Sequence, residues 1–225
     1  PIMQMSASLT EGSNSNSPYT YWTADPTYQQ VFQPYYLPTK TVVDSYEKGD
    51  LRFKAWFNNT KYTKMNGQYY TGTFYVFTKY WGNPSLTSSI KNGRQMPKPF
   101  LISEMYLIAA EALLADGKTS EAKDVLNALQ TARGAYNTEA TVENVRTEWF
   151  KETIGEGLRM SCLKRWHQGF NGRPSQDPTG VITNQGDVFD GKVLPADSKF
   201  FCWPIPSTEI KVNKNLVQNP GYDAI

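Results

Sequence analysis

Residues 101–117 have the sequence LISEMYLIAAEALLADG, and this stretch decides the fold. Apolar residues recur in it at spacings of four, three and four, at Leu101, Met105, Ile108 and Ala112. This spacing predicts an α-helix with one apolar stripe. Other apolar residues widen the stripe, namely Leu107, Ala109, Ala110, Leu113 and Leu114. We therefore expect the helix to be covered on two sides, to begin at Pro99 and to end before Gly117.

A second helix is expected immediately after the first. Thr119 or Ser120 can cap it, Glu121 suits its first turn, and Gly134 ends it. Its apolar stripe consists of Ala122, Val125, Leu126, Leu129 and Ala132. Because only a few residues join the two helices, they must pack antiparallel as a helical hairpin. The mixture of small and large apolar residues around a short glycine turn is typical of a tetratricopeptide-like pair, which needs neighbouring elements to cover it.

A third helix is predicted to begin after Thr141, which caps it. Its apolar face consists of Val142, Val145, Trp149, Phe150 and Ile154. Gly155 and Gly157 follow, and two glycines so close together indicate a kink or a tight helix crossing. Residues 158–166 then resume as a helix, so residues 97–167 form the helical core.

The flanking regions have a different texture. Residues 1–96 are polar and aromatic with frequent Gly, Pro and Asn, and residues 168–225 are loops rich in Pro, Gly, Asp and Asn. Residues 71–80 (TGTFYVFTKY) predict a strand, and residues 44–57 a short helix followed by an extended stretch. The expected fold class is mainly α, with tetratricopeptide-like helical hairpins, extensive irregular loops and a short β-hairpin. Residues 1–225 are expected to form part of one larger domain.

Composition limits the class of protein. Of 225 residues, 39% are hydrophobic and 20% are charged, which is enough apolar material for a packed core. The net charge of +2, without a run rich in Lys and Arg, argues against a nucleic-acid partner. The longest apolar run, residues 105–114, is shorter than the roughly 20 residues that span a bilayer. Cys162 and Cys202 could form one bridge, but we expect both to be free and buried.

Three motifs resemble those of the SusD/RagB family. Residues 104–112 (EMYLIAAEA) are similar to the signature of its helical pair, and residues 156–166 (EGLRMSCLKRW) to its second motif. Residues 201–206 (FCWPIP) and 213–222 (NKNLVQNPGY) resemble its C-terminal ending. The motifs stand in the family's order and spacing, so the resemblance covers about residues 97–225.

The sequence also departs from the family's pattern. Leu158 stands where the family usually has His, and Cys162 where it usually has Asp. An Arg that often precedes the first motif is absent. Any polar contact made by those residues is lost or replaced here. Residues 50–52 (Asp-Leu-Arg) could extend the resemblance, since the family often has an Asp-x-Arg there.

The resemblance implies a non-catalytic, surface-exposed lipoprotein of the bacterial outer membrane in Bacteroidota. Such proteins bind glycans or, in some branches, peptides, and we expect no cofactor and no metal. They sit as a lid on a SusC-like TonB-dependent transporter. Contact with the membrane would be made only through an N-terminal lipid anchor outside this chain. The chain begins at Pro1, and we expect it to be the C-terminal portion of a longer protein.

The residues of the family motifs are expected to be structural. They are Glu104, Glu156, Gly157, Arg159, Arg165, Trp166, Trp203, Pro204 and Pro206. The charged residues between 156 and 165 would form an internal ion-pair network that fixes the crossing of the third and fourth helices. Trp203 would be buried against the helices, so that the C-terminal tail braces them.

The ligand-binding residues are expected earlier in the chain, where aromatic residues flank a polar loop. The candidates for a glycan site are Trp22, Tyr21, Tyr19, Asn16 and Tyr36, with Trp56 and Trp81 as weaker candidates. The C–H face of a sugar packs on a flat aromatic ring, and Asn, Asp or Arg nearby can bind its hydroxyls. These rings could instead pack a loop-rich sub-core. A peptide ligand also stays open.

Two other classes of function are alternatives. A glycoside hydrolase needs a pair of carboxylates, and Glu152 and Glu156 lie four residues apart on one predicted helix face. His167 is the single histidine, and a surface or helix-capping position suits it better than the role of a catalytic base. His and Cys are too few for a metal cluster. An intracellular helical-repeat adaptor that binds peptides is the other alternative.

Overall fold

The computed structural model describes residues 20–25, 29–34, 37–65, 68–79, 100–172, 174–176 and 193–223. The chain divides into two compact units. The N-terminal unit comprises residues 1–155 and 174–183, and the C-terminal unit comprises residues 156–173 and 184–225. No helix of the described residues combines the length and the apolar character that a membrane span requires.

The described part of the N-terminal unit contains four strands and five helices. In chain order they are β1 (Thr20–Asp25), β2 (Gln29–Pro34), α1 (Lys40–Asp44), α2 (Leu51–Trp56), β3 (Phe57–Met65), β4 (Gln68–Phe77), α3 (Ile102–Ala115), α4 (Thr119–Ala132) and α5 (Val142–Glu152). The mainly helical fold class is confirmed. The helices of residues 102–152 form its tetratricopeptide-like part.

The predicted helical pair is present, because α3 and α4 pack against each other. Gly117 (φ +75°) and Gly134 (φ +67°) follow the two helices in the left-handed conformation, as predicted. The starts differ by a few residues: α3 begins after Leu101 rather than at Pro99, and α4 begins at a residue that was expected to cap it. Thr141 caps α5 as predicted, since its hydroxyl accepts a hydrogen bond from the Asn144 amide at 3.1 Å.

The buried face of α3 is not the predicted one. Ser103, Leu107 and Ala110 are buried, whereas Met105 and Ile108 are exposed. Helices α4 and α5 both contact α3. The predicted apolar stripe with Met105 and Ile108 stays exposed, so the described residues do not cover α3 on the second side that was expected. Because apolar residues surround most of this helix, its periodicity could not identify the covered side.

The strands form one four-stranded sheet in the order β1-β2-β3-β4. β1 with β2 and β3 with β4 are antiparallel hairpins, and β2 joins β3 in parallel where Phe32 pairs with Thr63. The strand predicted at residues 71–80 is confirmed as part of β4. The sheet is larger than the short hairpin expected from the sequence, because residues 20–34 and 57–65 also pair as strands.

Aromatic rings join the two short helices α1 and α2 to this sheet. Phe53 and Phe57 stack with ring centroids 5.2 Å apart, and Phe53 also contacts Tyr75 of β4 edge-on at 4.9 Å. The ring centroid of Phe57 lies 5.4 Å from that of Tyr46 and 5.1 Å from that of Phe77. Aromatic residues at 46, 53, 57, 75 and 77 therefore form a continuous core in the N-terminal unit.

The two glycines after α5 do not mark a helix crossing. Helix α5 ends at Glu152, and Gly155 (φ +76°) and Gly157 (φ +77°) lie in the turn that follows. A Cβ at Gly157 would meet nothing within 4 Å, so the predicted close packing at this residue is wrong. Its left-handed backbone conformation is the feature that favours glycine.

The described part of the C-terminal unit begins with the predicted fourth helix. Its elements are α6 (Arg159–Arg165), β5 (Phe170–Asn171), β6 (Val193–Leu194), a 3-10 turn (Lys199–Phe201) and α7 (Ser207–Val212). β5 and β6 pair antiparallel. Cys162 is buried and Cys202 is exposed, and both are free, so the expectation that both are buried is wrong for Cys202.

The C-terminal tail does not bury its tryptophan. Trp203 is 90% exposed, which contradicts the predicted burial. The tail instead folds on its own backbone: the Gln218 amide accepts a hydrogen bond from the Ile205 N–H at 2.8 Å and donates one to the Ile205 carbonyl at 3.0 Å. The Asn219 amide donates to the Trp203 carbonyl at 2.6 Å. The backbone of Trp203, rather than its indole, is therefore the part that the tail holds.

We predict that Gly134→Ala lowers the free energy of unfolding by about 2–5 kcal/mol, because it combines a left-handed backbone with overpacking. Its Cβ would lie 2.8 Å from the Gly49 carbonyl oxygen and 3.2 Å from the Leu51 side chain. Gly117→Ala is the matched control, since it has the same backbone conformation and nothing within 4 Å. Urea denaturation of both variants should show about 1–2 kcal/mol for the control. Equal losses would contradict the crowding at Gly134.

Candidate functional site

The most strongly organised polar group of the N-terminal unit centres on Arg52. Asp50 caps α2, and its carboxylate accepts a hydrogen bond from the Arg52 amide at 2.9 Å. The same carboxylate accepts two more hydrogen bonds from the Arg52 guanidinium, at 3.0 Å and 2.7 Å. Both side chains are almost fully buried. This paired geometry is the strong form of a charge-assisted hydrogen bond.

Helix α5 supplies two further carboxylates to Arg52. Glu148 and Glu152 are four residues apart, so they lie on one face of the helix. The Arg52 Nη1 atom donates to Glu148 at 2.5 Å and to Glu152 at 3.0 Å. These contacts join segments about 100 residues apart in the chain.

Other polar groups surround these contacts. The guanidinium of Arg133, just after α4, donates to both oxygens of Glu152, at 3.0 Å and 2.6 Å. Gln130 donates to Glu148 at 3.2 Å. The buried Lys151 ammonium binds Glu47 at 2.9 Å. We call the group of Glu47, Asp50, Arg52, Gln130, Arg133, Glu148, Lys151 and Glu152 the charge cluster.

Electrostatics favour the ionised forms of Glu152 and Arg52. Burial alone would raise the pKa of Glu152, but the hydrogen bond and charge of Arg133 and the charge of Arg52 lower it overall. Burial also works against the charge of Arg52, yet its hydrogen bond to Asp50 and the charges of Glu148 and Asp50 raise its pKa. Burial raises the pKa of Tyr46, whose hydroxyl donates to the Lys151 carbonyl at 2.8 Å. The charge cluster is therefore a set of satisfied charges.

This geometry removes Glu152 from the hydrolase hypothesis. A glycosidase acid needs a raised pKa and access to the glycosidic oxygen. The Glu152 side chain is 2% exposed, both of its oxygens are engaged by arginines, and its pKa is lowered. Its role is to hold α5 against α2 and the end of α4.

The candidate glycan-binding residues lie only partly within the described chain. Tyr21 and Trp22 are on strand β1 rather than on a loop, and the register pairs Trp22 with Phe32 and Tyr21 with Gln33. The other three candidates, Tyr19, Asn16 and Tyr36, lie outside the described residues, as does Trp81. Two of the five main candidates, which are neighbours in the sequence, therefore lie on strand β1.

The weaker candidate Trp56 is half-buried and already has a partner. The Lys79 ammonium lies 4.0 Å from the centre of its ring, within the range of a cation–π contact. Lys79 also donates to the backbone carbonyls of Glu152 at 3.1 Å and Ile154 at 2.9 Å. Trp56 therefore belongs to the packing around the end of α5.

The residues of the family motifs occupy defined places in the two units. Glu104 lies in the first turn of α3, in the N-terminal unit. The remaining motif residues belong to the C-terminal unit: Glu156 and Gly157 precede α6, Arg159 begins it, Arg165 ends it, Trp166 caps it, and Pro206 caps α7 after Trp203 and Pro204. Trp166 is buried, with the Arg165 guanidinium 5.3 Å from its ring centre.

The charge cluster was not predicted from the sequence. The expected ion-pair network was placed at residues 156–165 and stays a prediction; in this segment Lys164 lies 3.2 Å from the Cys202 sulfur. Two signals pointed to the observed cluster: the Asp-Leu-Arg stretch at residues 50–52 and the spacing of Glu148 and Glu152. Neither signal says that the two segments meet.

Comparison with protein families and curated proteins places the chain among known sequences. The model of the SusD family matches residues 6–222. The starch-binding protein SusD of Bacteroides thetaiotaomicron is 30% identical over 125 residues, which is 55% of this chain and 21% of that protein.

Solved structures share the fold. A SusD-like carbohydrate binding protein from Bacteroides vulgatus matches 79% of this chain and 40% of its own, with a TM-score of 0.56 and 20% identity. A SusD superfamily protein from Bacteroides fragilis matches 97% of this chain and 48% of its own, with a TM-score of 0.53 and 21% identity. The chain spans less than half the length of these relatives.

We predict that Arg52→Met lowers the free energy of unfolding by about 3–5 kcal/mol, because it leaves buried carboxylates without their partner. Urea denaturation at pH 7 measures this loss. Lys123→Met is the matched control, because Lys123 forms a single exposed ion pair with Glu139. We expect the control to change stability by less than about 1 kcal/mol. Similar effects of both substitutions would contradict a stabilising role of the charge cluster.

The lowered pKa of Glu152 also predicts a pH dependence. A carboxylate with a depressed pKa stabilises the fold above its ordinary value of 4.5, and this contribution is lost as pH falls through the folded-state pKa. Glu152→Gln should therefore be much less stable than the wild type at pH 7, and the difference should shrink below pH 4.5. Urea denaturation at several pH values between 7 and 3 tests this. A difference independent of pH would contradict the ionised state of Glu152.

Proposed function

Because this chain belongs to the SusD family, we propose that it binds a neutral glycan without changing the covalent structure of the glycan. The observation that carries the proposal is the likeness to proteins named for starch binding and carbohydrate binding. The net charge of +2 fits a neutral ligand, which offers no charge to match. The commitment of Glu152 to the charge cluster supports binding rather than hydrolysis.

We propose Trp22 as the ring platform of the glycan site, with Tyr21 as a second ring that contributes separately, because successive residues of a strand face opposite sides of the sheet. They lie on β1, which is an edge strand of the described sheet, and so the strand has one neighbour, β2. Their register partners are Phe32 and Gln33, an aromatic ring and a side-chain amide. An aromatic ring can pack against the C–H face of a sugar, and an amide can bind its hydroxyls. Tyr19, Asn16 and Tyr36 are proposed to complete the site.

We further propose that the whole protein delivers its glycan to a SusC-like TonB-dependent transporter at the outer-membrane surface. The support is membership of the SusD family. Affinity purification of the full-length protein from detergent-solubilised outer membranes tests the partnership. A TonB-dependent transporter should copurify in near-equal amount. Recovery of the protein alone, or its absence from the membrane fraction, would contradict this part of the proposal.

We predict that Trp22→Ala weakens glycan binding about 10- to 100-fold, equivalent to about 1.4–2.8 kcal/mol. A glycan array that includes maltoheptaose, a fragment of starch, identifies the ligand, and isothermal titration calorimetry measures the dissociation constant. The free energy of unfolding should change by less than about 0.5 kcal/mol, because we propose that Trp22 contacts the ligand rather than the core.

Two control variants accompany this experiment. Trp22→Phe keeps a ring and should retain most of the affinity, whereas Trp203→Ala removes an exposed indole from the other unit and should leave the affinity unchanged. A large loss of stability in Trp22→Ala would mean that Trp22 packs a sub-core. Cleavage of any array glycan by the wild type would favour a hydrolase, and binding of peptides alone would favour a peptide receptor.

A further inference from the structure

Two residues of the C-terminal unit adopt a backbone conformation that normally favours glycine. Among the described residues, His167 (φ +53°) and Asp197 (φ +55°) are the two non-glycine residues with positive φ. Seven glycines take up the other positive-φ positions, including Gly117 and Gly134. Among the described residues, the left-handed conformation is therefore adopted by glycine except at His167 and Asp197. An unfavourable backbone conformation in a side-chain-bearing residue is a signal of function.

The local structure explains why each backbone turns this way. His167 follows Trp166, the residue that caps the end of α6, and the next amide, that of Gln168, donates to the Leu163 carbonyl at 2.9 Å. This is the closing bond of a glycine-type helix end. Asp197 is the third residue of a turn closed by the Ser198 amide and the Pro195 carbonyl, again a position where glycine is favoured. Glycine would satisfy both backbones.

The side chains at these two positions contact each other. His167 Nδ1 lies 2.6 Å from Asp197 Oδ1, while the two side chains are 75% and 66% exposed. An exposed pair of this kind contributes little to stability, and both residues bear the cost of a left-handed backbone. Stability therefore does not explain why these side chains are present.

The pair stands beside an open cleft within the C-terminal unit. Residues 167–171 and 193–196 line this cleft, which has a volume of about 410 Å³. The β5–β6 pair forms part of its wall. A Cβ at Gly169 would lie 1.8 Å from the Leu194 carbonyl oxygen, so the two segments are in close backbone contact there. This backbone contact fixes one part of the lining of the cleft, and polar side chains are exposed along another part.

We propose that this cleft is a second saccharide-binding site, separate from the ring platform on β1. The ligand class is the neutral glycan of the proposed function, on which this inference rests. The cleft is lined by the exposed imidazole of His167 and the exposed amides of Gln168 and Asn171, and the Asp197 carboxylate lies beside it through its contact with His167. Carboxylate and amide groups accept from and donate to adjacent sugar hydroxyls. The exposed Val193, together with Pro195, supplies apolar surface for the C–H face.

The geometry also assigns separate roles within the pair. One oxygen of Asp197 faces His167 Nδ1, which leaves its second oxygen for a hydroxyl. The contact with Asp197 orients the imidazole of His167, which lines the cleft. The left-handed turns bring these two side chains together. A glycine at either position would keep the backbone and lose the binding group.

The single histidine makes a direct experiment available. The imidazole protons of His167 give one set of signals in a proton NMR spectrum. We expect those signals to shift and saturate when an oligosaccharide from the array, beginning with maltoheptaose, is titrated into the full chain. His167→Gly and Asp197→Gly should each weaken binding at this site at least ten-fold, as measured by shifts of the Gly169 and Asn171 amides. Their melting temperatures should stay equal to that of the wild type or rise.

The melting temperature separates a binding role from a structural one. If the pair serves stability, both glycine variants melt lower than the wild type and bind normally, and the proposal is overturned. Asp197→Asn is the conservative control, because Asn tolerates the left-handed backbone and keeps one acceptor oxygen. It should retain more affinity than Asp197→Gly.

The outcomes also separate this inference from the proposed function. Binding that disappears in Trp22→Ala, with unmoved His167 signals, would leave the glycan receptor intact and overturn the second site. Shifts of the His167 signals that persist in Trp22→Ala support the second site independently of the ring platform. An array in which no saccharide binds to the wild type at any residue would overturn both.

Discussion

The N-terminal unit depends on keeping Arg52 surrounded by carboxylates. Its guanidinium donates to Asp50 of the same turn and to Glu148 and Glu152 of α5, and all four side chains are buried. Removing such charges from water costs several kcal/mol per ion, and only a complete set of partners offsets that cost. The cluster therefore tolerates essentially one arrangement of α2, α5 and the end of α4. The aromatic core continues from α2 through Phe53 and Phe57 to the sheet.

The positions of the helices could be predicted from this sequence, but the faces that they bury could not. The helices at residues 102–115 and 119–132 could be predicted because apolar residues repeat there with a period of 3.6, which is specific to an α-helix. The covered face of α3 was misplaced because Met105 and Leu107 are equally apolar and lie on different faces. The sheet was underestimated because its first strands mix polar and aromatic residues without regular alternation. Their pairing joins residues 32 and 63, which local patterns do not report.

The candidate sites show the same division. Tyr21 and Trp22 stood out by residue type, but the sequence suggested a loop where the structure has a paired strand. Trp203 was expected to be buried because a tryptophan among prolines usually packs, whereas the tail secures the Trp203 carbonyl through Asn219 and leaves the indole exposed. Arg52 could not be assigned its partners because Glu148 and Glu152 lie about 100 residues away. Long-range charge pairing is decided by tertiary packing and has no local pattern.

The charge cluster and the proposed glycan-binding residues lie in different parts of the described structure, and this has a physical reason. Five side chains of the charge cluster are buried and ion-paired, so none of them can bind a ligand without breaking an ion pair; they are Asp50, Arg52, Glu148, Lys151 and Glu152. Binding a neutral glycan requires the opposite: exposed rings and polar groups whose hydrogen-bonding capacity is only partly used. The His167 and Asp197 side chains, which are 75% and 66% exposed, meet that requirement. Substitutions at these places can therefore change recognition while the Arg52 contacts, which set the fold, stay intact.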